Sequence, residues 1–288
     1  MTEDNAIKQN RKYKDSIFVD LFGYDKNAKA NFLSLYNALH ETNLNLNEIE
    51  IVPQMLENVL YMAYYNDVAM LVDGRLVVLV EHQSTLNENM PLRMLDYVTR
   101  IYERLIPARD KFKKNLIKIP RPEFFVLYNG ESPIPEQSEQ KLSSAFENGS
   151  GINLELTVKI FNINSNMNKD LLSKCAVLHD YSEFVSIVRR FQKEGNPDPF
   201  GNAIKSAVKQ GILQDYLERK STEVINMLMC GYDYDTDIAV QREEARDSMC
   251  ILNIRAMMKN LKCSVQQALD VLDIKGADRA KYIALISN

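Results

Sequence analysis

Two short apolar runs, residues 68–72 and 76–80, stand on either side of Asp73-Gly74 in the stretch DVAMLVDGRLVVLVEHQS (67–84). Both are rich in Val, Leu and Met and are interrupted only by turn residues, which predicts a buried β-hairpin. Acidic residues bracket it, Asp67 before the first run and Glu81 after the second. A hairpin folds those ends next to each other, so two carboxylates converge at one edge of an apolar sheet. Such groups are costly there unless a cation compensates them, and a hard divalent ion with oxygen ligands does so economically.

Register decides whether the pair can act together, because side chains alternate between faces with period two. A two-residue loop pairs Val72 with Arg75 and sets Asp67 against Val80, leaving Glu81 on the other side. A three-residue loop, Val72-Asp73-Gly74, sets Leu71 against Arg75 and Asp67 against Leu79, with Glu81 diagonal to Asp67 on the same face. Gly74 then takes the left-handed position that such loops favour. The three-residue turn is therefore the expectation, since a site requires both carboxylates on one face. Gln83 would share that face, and His82 would point away.

After the hairpin, residues 87–106 predict an amphipathic helix carrying Met90, Leu92, Met94, Leu95, Val98, Ile101 and Leu105 on or near one face. Arg93 and Tyr97, four apart, project together from it. Residues 123–128 (EFFVLY) predict a strand ending at Asn129-Gly130, 131–151 a polar loop, and 154–163 another strand. Before the hairpin, residues 13–40 read as helical with a break near Gly23, and Asp15 is placed to cap the first turn. Residues 43–54 give a linker with a short strand, and the secondary structure of 56–65 is left open. The core is thus a mixed sheet of four or five strands flanked by helices.

Beyond Asn168 the pattern is helical throughout: 171–178, 181–191, 203–217, 221–230 and 241–260, with breaks at Gly195-Asn196-Pro197 and at 233–237. Ser264-x-x-Gln267 offers a capping box for a helix to Leu272, and 277–286 gives a last one, a helix-turn-helix-like end suited to packing or dimerisation, with DNA binding as the alternative. The expected division is a flexible leader (1–12), an α/β domain (13–165), a helical region (166–240) and a helical tail (241–288).

The stretch VEHQSTLNENMPLRMLDYVTRIYE (80–103), with YKDSIFVDLFG (13–23), resembles the recombination-promoting nuclease and transposase-like family of bacteria, within the PD-(D/E)XK nuclease superfamily. The likeness covers roughly residues 10–165. It implies a restriction-endonuclease-like fold and metal-dependent DNA endonuclease activity. Asp67, Glu81 and Gln83 would be catalytic, with Mg2+ (or Mn2+) held by Asp67, Glu81 and the His82 backbone carbonyl. Arg93 and Tyr97 would bind substrate, Arg93 clamping a phosphate through its fork of donors. Gln83 stands where the parent motif has lysine; an amide supplies neither charge nor acid–base chemistry but still hydrogen-bonds water. Val19 stands where the family pattern often has lysine, so no role is carried to it. The competing class is an inactive DNA-binding or protein-interaction module on the same scaffold. In the blandest reading, Asp67 starts a strand and Glu81 pairs with Arg93.

Composition changes this picture little. With 288 residues, 45% hydrophobic and 26% charged, the chain is an ordinary globular one, and its net charge of −4 does not advertise nucleic acid. Between Arg93 and Arg121, however, nine Lys and Arg face three Asp and Glu, a basic segment fit for a phosphodiester partner. No apolar run reaches the roughly 20 residues of a membrane span, and the polar start lacks a signal-peptide core. The expected location is therefore cytoplasmic. The four cysteines are scattered in apparent helices, His40 and His179 have no obvious partners, and no glycine-rich phosphate loop occurs, which disfavours zinc, disulfide and nucleophilic alternatives. Cleavage of both strands by one site per chain would favour a homodimer.

Overall fold

The computed structural model describes residues 17–54, 67–82, 87–147 and 153–287. The expected leader, the cap at Asp15, the run 56–65 and Gln83 lie outside them. The chain divides into two compact units, Met1–Leu228 and Met229–Asn288.

The first unit is a mixed α/β structure built on a six-stranded sheet. Its strands are β1 (Ile51–Pro53), β2 (Asp67–Val72), β3 (Arg75–His82), β4 (Arg121–Tyr128), β5 (Gln137–Lys141) and β6 (Thr157–Asn162), in the order β1-β2-β3-β4-β6-β5. The three central strands β3, β4 and β6 run parallel, and β1, β2 and β5 are antiparallel to their neighbours. This is the α/β class expected. It carries one strand more than the pattern predicts. β5, QSEQK, lies inside the stretch expected to be a polar loop. Its residues alternate exposed and half-buried at the sheet edge, where one apolar face is not required.

Helices cover both faces. Before the sheet come α1 (Ile17–Val19, continued by a wider turn at Asp20–Tyr24) and α2 (Ala28–His40). α3 (Met90–Leu105) joins β3 to β4. α4 (Lys169–Lys174), α5 (Ala176–Lys193) and α6 (Pro199–Lys209) follow β6. α3 buries Met90, Met94, Tyr97 and Ile101 against the face formed by Ala69, Leu76, Val126 and Ile160. The larger core lies on the other face, where Val68, Met70, Val72, Phe125 and Leu127 meet Phe18, Phe22 and Phe32 from α1 and α2 and Leu178 and Phe184 from α5. Alternation along β2 and β4 sends successive side chains to these two cores, as a sheet buried on both sides demands.

α7 (Gln214–Leu261) is two helical stretches that meet at a kink at Lys220, where the backbone is non-helical. The sequence pattern expects helices 203–217, 221–230 and 241–260, and the kink falls at the break expected before 221. The first is cut earlier, at Gly211 and Leu213, whose positive φ angles of 77° and 48° close α6. The polar stretch 233–237 does not interrupt α7, because Asp and Thr weaken a helix by only a fraction of what Pro costs.

In the second unit, Ile254 of α7, Ala268 and Leu269 of α8 (Val265–Val271) and Tyr282 of α9 (Gly276–Ser287) form a small core. The capping box is present: the Ser264 hydroxyl accepts from Gln267 N, and Gln267 Oε1 accepts from Ser264 N at 2.9 Å. No helix among the described residues is long and apolar enough to cross a membrane.

Candidate functional site

The hairpin forms where the sequence places it, but its loop has two residues. Val72 pairs with Arg75, Leu71 with Leu76 and Asp67 with Val80. Asp73 and Gly74 both have positive φ, 42° and 75°, the signature of the tight turn for which Asp-Gly is a favoured pair. The expected three-residue turn is thereby overturned.

The consequence falls on the carboxylates. Asp67 has the register of Ala69, which belongs to the α3 face. Glu81 pairs with Leu127 of β4, a residue of the opposite core. In this ladder the two positions alternate to opposite faces, although both sit at the same edge of the sheet. The side chains of Asp67, Glu81 and His82 are not among those described, and neither is Gln83. His82, paired with Tyr128, takes the register of the α3 face.

Arg93 and Tyr97 both lie on α3. Tyr97 is only 1% exposed and packs in the core beneath the sheet. Arg93 is half-buried in the first turn, its Nη1 3.5 Å from Met90 Sδ.

The basic segment is not gathered at this edge. Arg75 at the start of β3 pairs with Arg121 at the start of β4, so residues 106–120 enter the sheet at the end remote from Glu81. Seven residues of strand, roughly 23 Å, separate Arg75 from His82. The cations on α3 are engaged within the fold. Arg100 Nε is 3.3 Å from Asp96, and Arg104 Nη2 donates to the Gln54 carbonyl at 2.8 Å.

That remote end holds a half-buried carboxylate. Glu123 accepts from His40 Nε2 at 2.7 Å and from Arg121 Nη2 at 2.9 Å, with Arg75 Nη1 at 3.4 Å. Burial pushes the Glu123 carboxyl up, but the hydrogen bonds from His40 and Arg121 and the charges around it outweigh that and hold it below the usual 4.5. His40, expected to lack a partner, therefore has one, and its Nδ1 lies 3.0 Å from the Tyr36 carbonyl. His179 Nδ1 is 3.6 Å from Asp180.

Beside Glu81, on the same face by register, the carboxyl ends of β4 and β6 carry a polar cluster that the sequence reading misses. Arg189 of α5 donates to Asn129 Oδ1 at 3.2 Å and to Asn164 Oδ1 at 3.1 Å, and also to the Asn129 carbonyl. Asn164 Nδ2 donates to the Gly130 carbonyl at 3.0 Å. Asn129 is 4% exposed, and its Nδ2 is a buried donor without a partner among the described residues. The Asn-Gly pair signals only a turn in sequence; its link to a residue 60 positions away has no local signature.

A second buried polar group lies under α1. Asp25 accepts from Arg219 through both oxygens, at 3.2–3.3 Å, while Asp20 accepts from Lys220 Nζ and from the Tyr216 hydroxyl, each at 2.8 Å. Burial pushes the Asp25 carboxyl up; the Asn27 N–H, Arg219 and Lys220 together bring it below the usual 3.8. Burial and the Asp20 charge push the Tyr216 phenol well above its ordinary range. Both carboxylates are compensated by cations of the chain itself, so this group has the character of a structural network. Among the described side chains no group of three or more His, Cys, Asp or Glu is arranged to hold a metal ion.

Set against known proteins, this mixed α/β chain matches the family described as "Putative transposase, YhgA-like" over residues 13–180. The chain belongs to that family, which covers the whole sheet and both flanking helix layers up to the first part of α5. No curated protein and no solved structure matches the chain significantly.

Proposed function

We propose that this protein acts on DNA in a transposition- or recombination-linked reaction, as an endonuclease that hydrolyses phosphodiester bonds. The observation that carries the reading is membership of a transposase family by the segment that contains the Glu81-His82 strand end. That strand end lies at the carboxyl edge of parallel strands β3, β4 and β6, the side on which open α/β sheets collect ligands.

Asp67, Glu81 and Gln83 remain the proposed catalytic residues, with Arg93 and Tyr97 as the proposed phosphate contacts. In this assignment Glu81 accepts a hydrogen bond from the attacking water and Gln83 orients it through its amide. Arg93, in the first turn of α3, supplies positive charge to the phosphate. Tyr97, buried beneath, would act by fixing the helix that presents Arg93. The proposed cofactor is Mg2+, with Mn2+ able to replace it. One ion held by the side chains of both Asp67 and Glu81 does not fit the two-residue turn, which sends those positions to opposite faces.

That same register favours a second reading, a DNA-binding module that keeps the scaffold without cleaving. Cleavage of supercoiled plasmid in Mg2+, Mn2+, Ca2+ or chelator, by the wild type and by Glu81→Ala, separates them. Metal-dependent nicking that disappears in Glu81→Ala supports the nuclease. DNA binding with no cleavage in any metal, unchanged by the substitution, leaves the binding module. Linearisation outpacing a second nick would point to a homodimer acting on both strands.

A further inference from the structure

The connection between α3 and β4 exposes apolar side chains that a globular surface does not need. Phe112 is 89% and Leu116 91% exposed, and Ile119 is 48% exposed. They are interleaved with cations. Lys111, Lys114 and Lys118 are exposed and, among the described residues, form no ion pair, whereas Arg109 and Lys113 share Asp110 at 3.7 and 2.8 Å. A fifteen-residue connection, 106–120, with only one short 3-10 turn is long for a link between a helix and a strand, and long links of this kind are commonly functional.

We propose that this loop is a DNA-bending wedge. Phe112 and Leu116 insert between base steps from the minor groove while Lys111, Lys114 and Lys118 neutralise the flanking phosphates. An apolar tip alone would fit many partners. The combination of protruding aromatic and aliphatic tips with unpaired cations on both sides matches a polyanion with stacked apolar layers behind its charge. The loop sits at the opposite end of β3 from Glu81, so the duplex is held roughly one strand length from the cleavage edge. This inference rests on the DNA-acting function proposed above and adds a second point of attachment to it.

The test uses the full chain, a short labelled duplex and chelator, so that binding and bending are read without cleavage. Fluorescence anisotropy at several salt concentrations gives affinity, and energy transfer between dyes at the duplex ends gives bending. Wild type is expected to bend the duplex. Phe112→Ala/Leu116→Ala, which removes only exposed side chains, is expected to lose about tenfold in affinity and the bend, with an unchanged salt dependence. Lys111→Gln/Lys114→Gln/Lys118→Gln is expected to flatten the log–log salt slope by about 0.9 for each phosphate no longer neutralised. Wild-type affinity and bending in the apolar double variant would overturn the wedge. So would binding to anionic phospholipid vesicles with none to duplex, or a concentration-dependent dimer that the double variant abolishes without any effect on DNA. Glu81→Ala serves as the control, since it tests cleavage and leaves this loop intact. A protein that bends DNA but never cuts it retains the wedge and loses the nuclease.

Discussion

Asp67 pairs with Val80 across the hairpin, and the next residue of β3, Glu81, pairs instead with Leu127 on the far side of the strand. This one-residue offset determines whether two acids at one sheet edge act on one face or two. It is directly testable. Counting from the two-residue loop, Asp67 and Val80 form a non-hydrogen-bonded pair, the close kind that cross-strand disulfides favour. Asp67→Cys/Val80→Cys is expected to crosslink under mild oxidation, and Asp67→Cys/Leu79→Cys is not. The reverse preference, read by mass spectrometry, would restore the three-residue loop and a shared face.

The second unit depends on its local signals. Ser264 and Gln267 satisfy each other's backbone N–H groups at the start of α8. Ser264→Ala should therefore cost about 1 kcal/mol. Because the small core around Ile254, Leu269 and Tyr282 sits behind this cap, faster amide exchange is expected in α8 and α9 while β3 and β4 stay unchanged. Equal loss of protection in the sheet would mean that the two units unfold together.

Features written in a few neighbouring residues are legible from sequence. The hairpin, the amphipathic α3 and the Ser264 box all follow from periodicity or a fixed spacing. The turn length goes astray for an instructive reason. The same-face requirement of a presumed site outweighs the plainer signal, that Asp-Gly between apolar runs favours a two-residue turn. β5 is illegible because a polar edge strand such as QSEQK has no apolar face to betray it. The position of the basic segment misleads because proximity in sequence to Glu81 is undone by α3, which carries the chain back along the sheet. Glu123 with His40, and Asn129 with Arg189, join residues 83 and 60 positions apart, and nothing local encodes such a pairing.

The Asp25–Arg219 pair predicts an acid-sensitive seam between α1 and α7. The Asp25 side chain is 2% exposed and that of Arg219 29%. Replacing Arg219 with Met leaves a buried carboxylate with the Asn27 N–H and, as its remaining nearby cation, Lys220, 3.6 Å away, and should lower the urea midpoint of the first unit. The Asp25 carboxyl is depressed in the folded state, so its contribution is present above the usual 3.8 and is lost as pH falls through the lower folded value. Wild type should thus lose stability steeply at acid pH. Asp25→Asn, less stable at neutral pH, should show a shallower loss in urea titrations run across that range. Parallel pH profiles would remove the pair as the source of acid sensitivity.

Arg189 offers the sharpest test of the cluster beside Glu81. Its guanidinium reaches the Asn129 side chain and carbonyl and the Asn164 side chain at once, a fork that only arginine presents. Arg189→Met strands these acceptors at a site where Asn129 is buried, and should cost about 2 kcal/mol in thermal or urea unfolding. Arg189→Lys should recover only part, since a single ammonium cannot span both asparagines. Asn129→Leu removes one acceptor together with the unpartnered Nδ2 donor, so its own cost should be smaller. In the double variant, Arg189→Met is relieved of one stranded group, and the two costs should fall short of additivity by about 1 kcal/mol. Strict additivity would show that Arg189 stabilises the strand ends through the Asn129 carbonyl and Asn164, without the Asn129 side chain. In that case the Asn129 carboxamide would be free to turn toward the edge at which β3 delivers Glu81.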